Sequence, residues 1–445
     1  MLALRLTRGS HPAVQLRRLL VAVASAGTGF LLLCTLGYAM GHPDSPAAAA
    51  LRLAWCATPL AATVYFAVAV ARTDPATKPR PGLSAIGLGP GRLMAISATT
   101  TALACALGSM LALLFFLHLR GDLTGMPFDG AAAEFLASDQ PLPLPAALTL
   151  LSLVPLTASI AVALVLRPRD IRPASEKGPA RSYGRFGVQG RPGARETFGA
   201  YGRFGARLRG DARRDATEDA EPAEQPEPTT APDPDPSRPP APREAPRGLP
   251  WGVAVLAAGL AVEAYANRER DGGGLSLPGG LAHGPASVLA GWVLTAIGLA
   301  LAGPGLTHLC GRLLQSAGPG ALRLLAGRVL MEEASRIGRP LGVVCAVASG
   351  AFAMTALYDP NAPSFGPLTT LGGLLVTGCT VATLLTAAVE AKHARADTTA
   401  ALLRLGAPAT MLRSAAALRA GALLALFLPL TLFVAELAAL PLAGR

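Results

Sequence analysis

The chain has 445 residues, of which 51% are hydrophobic, 15% charged and 5% aromatic, with a net charge of +11. A soluble domain carries about a quarter charged residues, so this composition excludes an ordinary water-soluble globule. The basic residues lie between apolar runs rather than on one patch, which points to positive-inside bias and not to nucleic-acid binding.

The apolar runs predict an all-α, polytopic bundle of about nine spans, because backbone polar groups in lipid must be satisfied within a helix. The spans fall near residues 19–40, 51–71, 94–117, 146–166, 251–266, 286–303, 341–357, 368–389 and 416–441. The first follows Arg17-Arg18, is long for a signal peptide and lacks an A-x-A-like cleavage site, so it reads as a retained anchor.

The loops alternate in charge. Arg5, Arg8, Arg17 and Arg18 form one basic set. Arg72, Lys78, Arg80 and Arg92 form the next, followed by Arg312, Arg323, Arg328, Arg336 and Arg339, and then by Lys392, Arg395, Arg404 and Arg413. The intervening loops carry no excess of positive charge. The positive-inside rule then places the N-terminus in the cytoplasm and the C-terminus outside. The Ala-, Arg- and Pro-rich composition fits a high-GC bacterial genome, and hence a bacterial plasma membrane.

Within the spans, Pro59, Pro155 and Pro429 predict kinks. Gly372, Gly373 and Gly378 predict close helix packing. Glu263 and Glu436 lie near the outer ends of their spans, and His118 lies at an interface. A charge within a span is costly and often functional, so a substrate or proton role for either carboxylate stands beside simple interfacial placement. Cys34, Cys56, Cys105, Cys310, Cys345 and Cys379 form no CxxC pair and read as small buried hydrophobes.

Residues 167–250 separate the spans into two similar blocks. To about Arg214 this segment is rich in Arg and Gly, and it repeats Tyr183-Gly184-Arg185-Phe186-Gly187 at Tyr201-Gly202-Arg203-Phe204-Gly205. From Asp215 to Asp235 it is acidic and Pro-rich. It lacks apolar periodicity, so it is expected to be a disordered cytoplasmic linker. Its basic part suits anionic lipid headgroups. The domain division is then 1–166 (four spans), 167–250 (linker), 251–303 (two central spans) and 304–445 (three spans).

Each block contains a short basic turn before an Ala/Leu-rich span. In the second it is Leu403-Arg404-Leu405-Gly406-Ala407, with Arg413 following. In the first it is the weaker Leu88-Gly89-Pro90-Gly91-Arg92. Gly406 and Gly89 would permit a sharp turn. The apolar-Arg-x-Leu-Gly-Ala pattern and its helix resemble the cytoplasmic turn and following span of FtsX-like, MacB-type (type VII) ABC transporter permeases. Residues Leu2 to Leu36 and Leu325 to Ala356 resemble the amphipathic lead-in helix and first span of such a half. The resemblance implies a permease subunit moving or extracting a lipid or amphiphilic peptide. It also implies a separate ATP-binding protein docking in trans at Leu403, Arg404, Leu405, Gly406, Ala407, Arg413, Leu88, Gly89 and Arg92. One chain could supply both sets of spans, or two could dimerise.

The sequence has no Walker A segment: Lys78, Lys177 and Lys392 are its only lysines, and none stands in GxxxxGK[ST]. No HExxH, GxSxG or metal-spaced Cys/His cluster occurs, so no catalytic, cofactor or metal site is expected. The alternative is a non-transporting, permease-derived anchor or regulator acting through 167–250. The short loops outside the membrane and the missing last span of the second block favour it.

Overall fold

The computed structural model describes residues 12–74, 89–123, 130–167, 246, 248–266, 286–316, 318, 320–356 and 366–443. The expectations for the linker, apart from its ends, for Leu88 and for the first eleven residues lie outside these. The chain divides into two units, residues 1–168 with 243–445 as one and residues 169–242 as the other. The first unit is described below.

Among the described residues all regular structure is helical. The helices are α1 (Pro12–Gly41), α2 (Pro46–Trp55), α3 (Ala57–Thr73), α4 (Pro90–Arg120), α5 (Leu144–Leu166) and α6 (Leu249–Ala266). They are followed by α7 (Ala286–Ser316), α8 (Ala321–Ala356), α9 (Pro367–Ala394), α10 (Ala396–Arg404) and α11 (Ala409–Ala443). Helices α2, α4, α5 and α9 carry Pro in the first turn, where its missing N–H has no helical acceptor to lose.

Among the described residues, seven segments are long and apolar enough to cross a membrane: Ala13–Gly41, Pro46–Thr73, Gly91–Arg120, Leu144–Leu166, Ala290–Ser316, Pro367–Ala394 and Ala409–Ala439. The chain is therefore a multi-pass membrane protein. Outward-facing Leu103, Leu107, Leu164, Leu424 and Phe433 are each more than 60% exposed, a surface that water tolerates poorly and lipid favours. Two of the nine expected spans fall short of this criterion. The apolar stretch of α6, Leu249–Tyr265, is shorter. Helix α8 is charged until Arg339, so only its last part is apolar.

Helix α1 packs on α4, α3 and α5, and α4 packs on α5. Helix α7 lies between α6 and α8, and α8 also packs on α9 and α11. Helix α9 sits against α3 and α1 as well, so it shares the core of the first helices. That core joins Val21, Leu31 and Leu32 to Phe66, Val70, Val154 and Cys379. A polar thread crosses it. Thr28 Oγ1 donates to the Ala24 carbonyl at 2.9 Å and lies 2.8 Å from Thr63 Oγ1, which lies 3.9 Å from Cys379 Sγ. All six cysteines are free and buried.

The glycines that allow close packing are not those expected. A β-carbon at Gly373 or Gly378 would meet nothing within 4 Å, and one at Gly372 only a Leu31 methyl at 3.8 Å. Gly373 and Gly378 lie on the outward side of α9. Instead, a β-carbon at Gly252 would come 2.7 Å from Ala302 Cα, one at Gly298 2.6 Å from Leu256 Cα, and one at Gly338 2.5 Å from Pro304 Cα. Backbone-to-backbone approach therefore joins α6, α7 and α8. Pro59 lies in the first turn of α3 and Pro155 inside α5. Pro304 and Pro340, expected in a loop or at its edge, lie inside α7 and α8.

At the end of α4, Arg120 is buried and holds the turn 130–140 in place. Its Nη2 donates to the Ala137 carbonyl at 3.0 Å and to the Gln140 carbonyl, and its Nε lies 3.6 Å from Asp122. Arg120→Ala removes the guanidinium donor from the Ala137 carbonyl, which keeps only the Gln140 N–H at 3.3 Å, and from the Gln140 carbonyl, and a hydrogen bond to a charged group contributes about 1.5–3 kcal/mol. The expected result is a thermal midpoint lowered by several degrees in detergent. An unchanged melting curve would mean that water replaces the guanidinium.

Candidate functional site

The most exposed apolar feature outside the long helices is α10 with its following turn. Helix α9 ends at Ala394, and Arg395 alone separates it from α10. Asp397 in the first turn and Arg404 in the last each oppose the end of the helix dipole that they face. None of the nine residues of α10 is buried. Among helix pairs with more than marginal contact, α10 touches only α9.

The turn after α10 has a defined geometry. Gly406 N–H donates to the Leu403 carbonyl and Ala407 N–H to the Leu402 carbonyl, each at 3.0 Å. Gly406 has φ 87°. This is a Schellman cap with its glycine in the left-handed region. The conformation, not crowding, calls for glycine, since a β-carbon there would meet nothing within 4 Å. The cap turns the chain sharply into α11 and leaves Leu405 84% and Leu403 47% exposed.

The predicted residues Leu403, Arg404, Leu405, Gly406 and Ala407 thus form one exposed cap, and Arg413 is exposed in the second turn of α11. Gly89 and Arg92 stand elsewhere, at the start of α4, whose helix contacts are with α1, α3 and α5. Gly89 is the α4 N-cap with φ −65° and ψ 165°. Any residue adopts that conformation, so the turn expected to need glycine there does not. Leu88 lies outside the described residues.

Three polar contacts were not foreseen. Arg18 Nη2 donates to Asp74 Oδ2 at 2.5 Å, and Arg17 Nη1 to Thr73 Oγ1 at 3.4 Å, tying α1 to the foot of α3. Glu333 of α8 pairs with Arg395, with Nε 2.6 Å from Oε1. The Arg395 Nε–H is directed at the Ala391 carbonyl at 3.1 Å, so the pairing is a charge contact and not an aligned hydrogen bond. Burial pushes the Glu333 carboxyl above its ordinary range, against the pull of Arg395, Arg419 and Arg336, while Glu332 adds to the rise. Glu263 of α6 is fully buried. Its Oε1 accepts from Thr295 Oγ1 at 3.1 Å, and its Oε2 has no hydrogen-bond partner among the described residues. Glu436 is exposed on α11. Among the described residues no three His, Cys, Asp or Glu side chains are grouped to hold a metal.

The chain matches no protein-family model, no curated protein and no solved structure.

Proposed function

We propose that the chain is the membrane-spanning permease subunit of an FtsX-like, MacB-type ABC system. ATP-binding subunits work with it in trans, and the cargo is a lipid or an amphiphilic peptide. The observation that carries this reading is α10. It is a short polar helix fixed between two membrane helices, and it presents Leu403 and Leu405 outward beside Arg404. Exposed leucines on a rigid cap form a docking knob, and a helix continuous with its neighbours can pass a push into the bundle.

A second support is the likeness of the two sets of helices. Helix α1 packs on α3 and α4 as α8 packs on α9 and α11. Each set has an ion pair at the foot of its second helix, Arg18 with Asp74 and Glu333 with Arg395. On this reading, α6 and the apolar end of α8 complete nine spans in two blocks. The basic loops lie in the cytoplasm and the C-terminus lies outside. ATP is hydrolysed only by the partner.

The second reading is a permease-derived anchor that moves nothing. The short connections between α1 and α2 and between α8 and α9 favour it, because they leave no lever outside the membrane.

Purification from native membranes in mild detergent, followed by mass spectrometry, separates the two. Recovery of a Walker A ATPase in a fixed ratio supports the permease. Its absence, under conditions that keep other membrane complexes intact, overturns the permease in favour of the anchor.

A further inference from the structure

We propose that Glu333 is a latch that sets the position of α10 from α8, by drawing in Arg395 at the root of α10. That α10 is a docking helix rests on the reading above. The latch itself is a property of the free protein.

Helix α10 buries none of its own residues and makes more than marginal contact only with α9. Its own packing therefore leaves its position loosely determined. The constraint lies at its ends. Arg395, the single residue between α9 and α10, reaches the Glu333 carboxylate at 2.6 Å. At the other end of α10, helix α11 packs on α8, and the Nε of its Arg419 donates to the Ala415 carbonyl at 3.3 Å. Helices α9 and α11 make no more than marginal contact with each other. One carboxylate of α8 thus holds the α9 arm of the α9–α10–α11 hairpin at the root of α10. Its side chain is 9% exposed against 28% for Arg395, so salt screens the pairing less than it would at the surface.

The test is amide hydrogen exchange of the full chain in lipid nanodiscs, with no ATP-binding subunit present. Glu333→Gln is expected to raise exchange of residues 396–404 about fivefold, as loss of an ion pair with one partly exposed partner does. Arg395→Gln should do the same. Arg395→Lys, which keeps the cation at the root of α10, should retain most of the protection. Arg18→Gln should leave α10 unchanged.

The latch also has a pH signature. Its charged form is lost as pH falls through the raised Glu333 value, so wild-type α10 should loosen on acidification before ordinary carboxylates titrate. The Glu333→Gln protein should lack that step. Global stability runs the opposite way: a raised carboxyl contributes stability below its unfolded value and loses it as pH rises through the folded one.

Unchanged exchange in both Glu333→Gln and Arg395→Gln would overturn the latch. If Glu333→Gln does not fold, Arg395→Gln decides, since Arg395 is the more exposed partner. A latch that responds in a protein that captures no ATPase would sink the permease reading and leave the latch standing.

Discussion

Gly338→Leu will prevent the protein from accumulating in folded form, and Gly338→Ala will lower its thermal midpoint, whereas Gly378→Leu will change neither. A β-carbon at Gly338 would lie 2.5 Å from Pro304 Cα, 2.7 Å from Pro304 N and 2.8 Å from the Gly303 carbonyl oxygen. All three are backbone atoms, so no side chain can rotate away. Helices α7 and α8 would have to part along one of the most extensive interfaces in the bundle. Overpacking by a single methyl costs about 1–3 kcal/mol, and leucine adds three more heavy atoms in the same place. Between membrane helices this loss is hard to offset, because close packing at small residues is a main source of their association. Gly378 is the control, because a side chain added there projects into open space. The comparison needs only fluorescence size-exclusion profiles and melting curves in detergent. A Gly338→Leu protein as abundant and as stable as Gly378→Leu would show that α7 and α8 do not pack as described.

The sequence located most membrane helices because length and apolarity are local properties. The runs at 94–117 and 146–166 lie inside α4 and α5 and stop within a few residues of their ends. Where a boundary depends on a neighbour, local pattern is a weaker guide. Pro304 and the glycines around it look like a break after residue 303. Yet α7 continues to Ser316, because Gly311 and Gly327 let its last turns lie against α8. Composition also does not tell which glycines face a helix and which face outward, and Gly373 and Gly378 face outward. For the candidate site, the motif at 403–407 was legible as a turn, and the positive φ at Gly406 gives its glycine a physical reason. The Glu333–Arg395 pair was not legible. Its partners lie on separate helices, and Arg395 read as one more member of a basic loop. The neighbouring carboxylates Glu332 and Glu333, set among arginines in the first part of α8, were the available signal.

On the proposed permease reading, Leu405→Glu will abolish capture of an ATP-binding subunit while leaving the protein as well folded as the wild type. Leu405 is 84% exposed and follows α10 at its cap, so the free chain loses almost no packing when it changes. In a complex the same side chain is the most prominent apolar group of the knob. A buried leucine anchor contributes about 1.5–3 kcal/mol, and a carboxylate in its place adds an uncompensated charge within the interface. At about 1.4 kcal/mol per tenfold, the complex should weaken by more than about a hundredfold. Leu403→Glu should act in the same direction with smaller effect, because Leu403 is only 47% exposed. Gly406→Val differs in kind. It places a β-branched residue at φ 87°, at about 1–2 kcal/mol, and should loosen the cap before it weakens any partner. Retention of an ATPase on immobilised wild-type and Leu405→Glu protein, at equal membrane levels, is the measurement. Loss of binding with an unchanged melting curve places the docking contact on α10. An ATPase retained equally by both proteins docks elsewhere, and the segment 403–407 is then a turn and nothing more.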